Sequence, residues 1–422
     1  MYIPSLEATQ GLFLMSIAEW GKGDKHRSSM HMGIAVTMAG ILRLHREETY
    51  QLSETGTAEE FVHAEAARRT FWMLESYNSL LSGSSSPVSI SYRDISALLP
   101  CSEAEFAFGS TTGPRAAMAG TLPTLANPAL VHCPSRSLFA TLLQTHSLWG
   151  RVARFVGRDD ENFLQNWQVR RDEYMEVLTA LNEFESNIPP LQRWSTWNLR
   201  GFKAEGLDLA YFSAVMALRL SYIVLGRRYL HDQNQSNGIP CTGEQSTITT
   251  ADLFQNMLVL HEQIDAFFDF RLTDQGFPAL IVFCIYVCGS LANHLHQEPH
   301  IFPSIAPRAE EILRKSLTGL GQLQDAWPLA RKWNSSLCRA TATARIPMHR
   351  VIDTIQDGRG SDNTNDLLLP LDSDALPDNT SPGDVVRLND PFPSDVMLLE
   401  FETYPWNDIF TGMADPPLSN IL

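Results

Sequence analysis

The chain has 422 residues, of which 44% are hydrophobic and 19% charged, and this composition predicts a globular protein with at least one large core. Its 48 acidic residues outnumber its 32 lysines and arginines, and the net charge of −16 argues against broad binding to phosphate backbones, which depends on basic side chains. The N-terminus lacks a secretory layout, and the longest apolar run, 277–291, falls short of the roughly 20 residues of a membrane span, so we expect no membrane partner.

Apolar residues recur every three or four positions in the first 81 residues, which predicts three helices. The first two, over 6–19 and 30–44, read as an antiparallel pair. The third keeps its apolar residues on one face, and its opposite face carries the charged residues Glu60, Glu65, Arg68, Arg69 and Glu75. We therefore expect these five side chains to face solvent.

The segment that follows the third helix is rich in turn-forming residues. Asp94 is placed to cap a brief helix that leads into Pro100. Residues 100–134 show no usable period, which predicts a long ordered loop or a partly flexible insertion.

Helical periodicity returns at Ser135 and persists to residue 338. No stretch alternates in the way of a half-buried strand, and no repeat of 20 to 50 residues is evident. The predicted fold class is therefore all-α. The later helices are predicted over 138–155, 160–188, 207–230, 250–270, 277–296 and 307–338.

The end of the chain is acidic. Residues 351–422 contain 14 acidic residues and two arginines, which is −12 of the net charge of −16. Acidic residues interleaved with bulky apolar ones are typical of disordered segments that offer their apolar side chains to a partner, and they resemble acidic activation domains. The candidate activation residues are Leu398, Leu399, Phe401, Trp406 and Phe410.

Two segments near the N-terminus carry motifs of recognisable order and spacing. The first reads Gly33, Ala35, Met38, Ala39, Leu42, Leu44, His45, Arg46 and Glu47. The second comprises Glu65, Arg68, Arg69, Phe71, Trp72, Gly83, Pro87, Asp94 and Pro100. Together they resemble the fungal-specific transcription factor domain, or middle homology region, of the zinc binuclear cluster transcription factors. The sequence departs from that pattern at Asn78 and in the serine run between Gly83 and Pro87.

The resemblance implies an all-helical regulatory domain over 1–345, followed by a largely disordered acidic tail over 346–422. It implies a nuclear regulator of RNA polymerase II transcription, acting on a metabolic or secondary-metabolite gene set. The tail would contact the transcription machinery or co-regulators, and the body could form a homo- or heterodimer.

The family's zinc-binding Cys-x2-Cys-x6-Cys array has no match in these residues, since the only close cysteine pair is Cys284 and Cys288. We therefore expect no cofactor or metal in this chain. DNA would be contacted only through a missing or partner module, because Met1 falls where the helical region starts, which suggests a shortened gene model or a regulator without its own DNA reader. The alternatives are a DNA-binding-deficient interaction protein that dimerises with a full-length regulator and modulates it and, less favoured, a helical enzyme.

Several residue groups admit both a functional and a structural interpretation, and we favour the structural one for each. His294, His296 and His300 with Glu298 form either a metal cluster or an ordinary helix end. Cys284 and Cys288 are either redox sensors or buried packing residues. The arginine pairs either bind DNA phosphates or lie on solvated faces and in intramolecular ion pairs. They are residues 68–69, 170–171 and 227–228.

No catalytic residue is predicted, because the Gly-x-Ser-x-Gly, His-Glu-x-x-His and phosphate-loop motifs are absent from the sequence. Aromatic residues of the second half either line an effector cavity or belong to the core, and we favour the core. They are Trp149, Trp167, Trp194, Trp197, Phe202 and Tyr211.

Overall fold

The computed structural model describes residues 3–22, 24–52, 56–80, 90–110, 113–158, 163–235, 249–271, 275–278 and 280–343. These ranges contain 13 α-helices and no β-strand, which confirms the all-α fold class. The tail from residue 346, with its candidate activation residues, lies outside them. The helices are α1 (Leu6–Lys22), α2 (Lys25–Ile41), α3 (Ala58–Leu80), α4 (Glu103–Phe108), α5 (Leu122–Ala126), α6 (Leu138–Val156), α7 (Phe163–Ser186), α8 (Thr196–Ala204), α9 (Asp208–Gln235), α10 (Thr250–Phe270), α11 (Ile281–Gln297), α12 (Ala306–Leu323) and α13 (Leu329–Thr343).

The first core lies around α3. Helices α1 and α2 pack as the predicted antiparallel pair, and Ala35 and Ala39 of α2 are fully buried because their small side chains allow close approach. Phe71, Trp72 and Leu74 of α3 fill the space between this pair and the start of α6.

The second and larger core comprises α6 to α13, with α9 and α11 at its centre. Every residue of α11 from Ile281 to Leu295 is buried. Helix α6 belongs to both cores, since Leu143 packs in the first and Trp149 in the second. This shared helix fixes the two cores relative to each other.

One stretch of the described residues, Asp208–Asp232 within α9, is long and apolar enough to cross a membrane. Most of it is buried inside the protein, which is the pattern of a core helix.

Three element predictions were wrong for identifiable reasons. The helix predicted over 307–338 is two helices: α12 ends at Leu323, and Pro328, which lacks the backbone N–H that a helix interior needs, lies immediately before α13. Helix α8 was missed since Leu199 is its only buried residue, which leaves no apolar period. The unpatterned segment 100–134 contains α4 and α5, which have six and five residues and are too short to show a period.

The brief helix predicted after Asp94 is also wrong. Asp94 is the last residue of a 3₁₀ turn, and Ile95 is extended, with φ −88° and ψ 121°. Residues 95–100 contain no helix because their backbone groups bond to other parts of the chain: Leu98 to Glu47, and Leu99 to the Ala116 carbonyl.

Gly289 tests how closely α11 packs against its neighbours. A Cβ at this position would lie 2.6 Å from Leu337 Cδ2 and 2.9 Å from Ser316 Cβ. We expect Gly289→Ala to lower the free energy of unfolding by about 1–3 kcal/mol through overpacking, measured by urea denaturation. Gly201→Ala in α8, where a Cβ meets nothing within 4 Å, is the control and should be neutral or slightly stabilising. Equal effects of the two substitutions would contradict the close packing.

Candidate functional site

The motif residues of α3 lie against the extended segment 95–101. Glu65 and Arg68 are 2% and 3% exposed, and Glu75 is 4% exposed. The prediction that these three side chains face solvent was therefore wrong. Helical periodicity assigned them to the outer face, but segment 95–101 and α6 cover that face.

Arg68 and Glu47 hold the backbone of Leu98 from both sides. The Arg68 guanidinium donates two hydrogen bonds to the Glu47 carboxylate, of 2.5 and 2.7 Å, and a third of 2.9 Å to the Leu98 carbonyl. Glu47 in turn accepts the Leu98 N–H at 2.7 Å. The Arg68 guanidinium also lies 4.1 Å from the centroid of the Tyr50 ring. A bidentate pair of this kind fixes orientation as well as distance.

Glu65 is the centre of the same cluster. Its Oε1 accepts the Cys101 N–H at 2.9 Å, and its Oε2 lies 2.8 Å from Arg115 Nη2. The Nε atoms of Arg68 and Arg69 each lie 3.5 Å from this carboxylate. Arg115 also donates to the Leu99 carbonyl at 3.2 Å. One buried carboxylate therefore ties α3 to two points of the chain that follows it.

Arg69 closes the cluster towards α4. Its Nη1 lies 2.7 Å from both carboxylate oxygens of Glu103, and its Nη2 donates to the Cys101 carbonyl at 3.0 Å. The guanidinium lies 4.3 Å from the Phe106 ring centroid and 5.1 Å from that of Phe139.

The remaining motif residues occupy different places. Trp72 is fully buried and donates its Nε1 hydrogen to the Leu98 carbonyl at 2.9 Å, while Phe71 packs against it edge-on at 5.1 Å. The Pro100 carbonyl accepts a hydrogen bond from Ser137. Asp94 is exposed and takes no part in the cluster. Gly83 and Pro87 lie outside the described residues.

We name this set of side chains the motif cluster: the carboxylates of Glu47, Glu65 and Glu103 and the guanidiniums of Arg68, Arg69 and Arg115. The three negative and three positive charges balance, and each group bonds to another member or to a backbone group of 98–101. Such an arrangement holds segment 98–101 against α3 rather than binding a ligand. The resemblance to the family identified the α3 members and Glu47 in the sequence. It did not indicate which residue Glu47 pairs with. It missed Glu103 and Arg115 because the segment that carries them has no pattern.

A second buried polar group lies where α3 meets α6. His146 Nδ1 is 2.6 Å from Ser76 Oγ and its Nε2 is 3.0 Å from Ser213 Oγ, and burial lowers the pKa of His146 to about 3. At Glu75, the residue before Ser76 in α3, burial raises the pKa to about 7, against the opposing attraction of Arg154. The contact between the two cores is therefore partly polar, and one of its groups titrates near neutrality.

A cavity of about 620 Å³ lies between α6, α7, α9 and α10. Its polar lining includes the ion pair between Glu185 and Arg219, and Gln263, whose fully buried amide meets no partner within the described ranges. Among the described side chains of the predicted aromatic set, only Trp194 lines this cavity.

The other aromatic residues of that set lie elsewhere. Trp149 and Tyr211 are fully buried in the second core, and Phe202 stacks on Tyr211 at 4.9 Å. Trp197 is 75% exposed, so neither the cavity nor the core interpretation holds for it. The side chain of Trp167 lies outside the description.

The other candidate groups have structural surroundings. In the described part of the chain, no set of three or more His, Cys, Asp or Glu side chains could hold a metal. Of the three candidate histidines, His294 is buried, whereas His296 and His300 are exposed. Burial raises the pKa of Cys284 and Cys288 well above the usual thiol value, so both thiols stay protonated. Arg170 and Arg228 both pair with Asp232, at 2.8 and 2.9 Å.

The motif cluster lies in the part of the chain that resembles a known family model. Residues 2–141 match the family model described as the fungal specific transcription factor domain. This range contains α1 to α5 and every member of the motif cluster.

Curated relatives come from Fusarium oxysporum f. sp. lycopersici. A protein named Zn(2)-C6 fungal-type transcription factor FTF1c is 26% identical over 245 residues, which covers 55% of this chain and 26% of the relative. Zn(2)-C6 fungal-type transcription factor FTF2 is 23% identical over 338 residues, or 77% of this chain and 30% of the relative. The chain thus spans about a quarter to a third of the length of these relatives. No solved structure matches the chain.

The motif cluster predicts a large effect of Glu65→Gln. The substitution removes the carboxylate charge that faces three guanidiniums in a buried place, so we expect the free energy of unfolding to fall by about 3 kcal/mol in urea denaturation. Glu173→Gln is the matched control, because Glu173 pairs with Arg158 at 3.2 Å on the surface, where an ion pair contributes less than about 1 kcal/mol. Losses of similar size would show that the cluster contributes no more than a surface pair.

Glu75 predicts a dependence of stability on pH. Its folded-state pKa of about 7 lies above its ordinary value of 4.5, so the folded state binds the proton more tightly. The contribution of Glu75 to stability is therefore full below pH 4.5 and is lost as the pH rises through 7, by up to about 3 kcal/mol. We expect Glu75→Gln to flatten this part of the profile, and Glu59→Gln, at an exposed site, to leave it unchanged. A profile of Glu75→Gln that parallels the wild type would refute the assignment.

Proposed function

We propose, since residues 2–141 match the family model of the fungal specific transcription factor domain, that the chain is the helical regulatory part of a zinc-cluster type transcription factor. The family and the relatives support a transcription regulator with a nuclear role, and transcription factors are not a class of enzymes. In this proposal the regulator controls RNA polymerase II transcription of a metabolic or secondary-metabolite gene set.

The observation that carries the proposal is the motif cluster itself. The residues by which the family is recognised form a charge-balanced set of ion pairs and hydrogen bonds around segment 98–101. Their role is to give the domain its shape, so regulatory contacts belong to other surfaces of the body and to the acidic tail.

DNA contact is supplied in this proposal by a module that these 422 residues do not contain. The relatives are named as Zn(2)-C6 factors, whereas this sequence has no Cys-x2-Cys-x6-Cys array. The module would be carried by a longer form of the chain or by a partner protein, and the chain itself would hold no zinc.

Activation is assigned in this proposal to the tail. Residues 351–422 carry 14 acidic residues, and bulky apolar side chains lie among them. Acidic residues keep such apolar groups available to grooves on the transcription machinery or on co-regulators.

A reporter assay tests the assignment of activation. Residues 351–422 fused to an unrelated DNA-binding domain should raise transcription above the unfused domain. Replacing Leu398, Leu399, Phe401, Trp406 and Phe410 by alanine should abolish most of that gain, since these side chains would enter the partner's groove.

The control replaces Leu367, Leu368 and Leu369 by alanine, which leaves the acidic residues and the candidate activation residues intact. This variant should retain most of the activity. A wild-type tail that does no better than the unfused domain, or five substitutions that change nothing, would contradict the assignment.

A further inference from the structure

Three side chains that line the cavity between α6, α7, α9 and α10 carry buried polar atoms without a partner. Gln263 of α10 is fully buried, and neither its Oε1 nor its Nε2 has a hydrogen-bond partner in the described ranges. The same holds for the Nε1 of Trp194 and the Nε of Arg219. Buried polar groups nearly always have partners, because leaving them unpaired costs free energy. A bound molecule would supply the partners that these atoms lack.

The cavity reaches from the protein surface into the second core. Asn182, Ser186 and Arg193 line it and are exposed, so a small solute can enter between them. Leu218 and Gln263 line it as well and are buried. Its volume of about 620 Å³ is in the usual range of small-molecule sites, which is roughly 300–1,000 Å³.

The charged side chains of the lining already have partners. Arg219 donates from Nη2 to Glu185 Oε1 and from Nη1 to Asn256 Oδ1, the second at 3.0 Å. Arg193, on the exposed side, donates to two backbone carbonyls, each at 3.0 Å. A charged ligand would therefore lose its hydration without gaining an unpaired opposite charge among the described lining residues.

We propose that this cavity binds an uncharged small molecule that carries a lactam or carboxamide group on an apolar body. The amide of Gln263 offers a donor and an acceptor side by side, and a group that presents a carbonyl next to an N–H bonds to both at once. Trp194 Nε1 and Arg219 Nε are further donors for carbonyl oxygens of the ligand. Val215 and Leu218 provide an apolar wall for its body.

Ionic groups satisfy these atoms less well. A carboxylate has no hydrogen to donate, so it would leave Gln263 Oε1 unpaired. An ammonium group accepts no hydrogen bond, so it would leave the donors of Gln263, Trp194 and Arg219 unpaired. The set of unpaired atoms therefore selects a neutral group that both donates and accepts.

The site is independent of the proposed function. Of its described lining residues only Thr141 lies within 2–141, the range that matches the family model. A tail that fails to activate transcription would leave the site as it is. Failure of the ligand to bind would, in turn, leave the proposed regulator unaffected.

Titration of the full chain with carbostyril tests the site. This bicyclic lactam presents a carbonyl next to an N–H on an apolar ring system, and N-methylcarbostyril has the same rings and carbonyl without the N–H. We expect carbostyril to bind with a Kd of about 1 mM or tighter in saturation-transfer NMR, as is usual for a ligand of this size. N-methylcarbostyril should bind at least about tenfold more weakly, because Gln263 Oε1 would be left unpaired.

Gln263→Leu separates a binding role from a structural one. Leucine removes two buried polar atoms that have no partner, so the melting temperature should rise by about 2–4 °C. The Kd for carbostyril should increase at least about tenfold, because both hydrogen bonds to the lactam are lost.

Two other glutamines provide matched controls. Gln144 is also buried, but its Nε2 donates to the carbonyls of Ala117 and Val131 at 3.1 and 2.9 Å. Gln144→Leu should therefore lower the melting temperature and leave the Kd for carbostyril unchanged. Gln255→Leu, at an exposed position of α10, should change neither quantity.

Four results would each overturn the proposal. The first is no binding of carbostyril at millimolar concentration, and the second is equal binding of carbostyril and N-methylcarbostyril. The third is tighter binding of the naphthoate anion, which has a similar ring system, because the site would then select a charge. The fourth is a melting temperature of Gln263→Leu below that of the wild type, which would show that the fold already pairs this amide.

Discussion

The ion pairs that join α3 to residues 97–101 are the constraint on which the first core depends. Arg68 and Glu47 satisfy both backbone groups of Leu98, and Glu65 binds the Cys101 N–H while it faces Arg115. The extended segment has no strand partner among the described residues. Its backbone groups therefore bond partly to these side chains and partly to separate backbone groups such as the carbonyls of His45 and Ala116. Buried charges are costly unless they are paired, and this cluster pairs all of them.

The attachment of segment 95–101 to α3 determines how the rest of the helical body is arranged. With segment 95–101 held against α3, the chain reaches α6, and α6 links the first core to the second. The α1–α2 pair packs against α3, and Trp20 at the end of α1 also meets Trp327, while Leu14, Met15, Met30, Ile34 and Ile41 stay exposed. The way the pair packs on α3 therefore leaves apolar side chains exposed on its other side.

The sequence was sufficient for the fold class and for most helices of ten residues or more, because their apolar periods are long. The sequence did not predict which polar and charged side chains are buried. Glu65 and Arg68 lie on the outer face of a helical wheel, yet they are buried, since a distant segment covers them. Arg115 and Glu103 complete the cluster from a stretch without periodicity. Only the resemblance to a family marked the α3 residues as important, and it did not say what they contact.

The central claim is that Arg68 and Glu47 act on each other in the folded protein and not as separate surface charges. A double-mutant cycle on Arg68→Met and Glu47→Gln, measured by urea denaturation of the full chain, tests it most directly. The pair is bidentate and its arginine is buried, so the coupling free energy should be about 2 kcal/mol or more. A coupling near zero, with the two single effects adding, would contradict the claim.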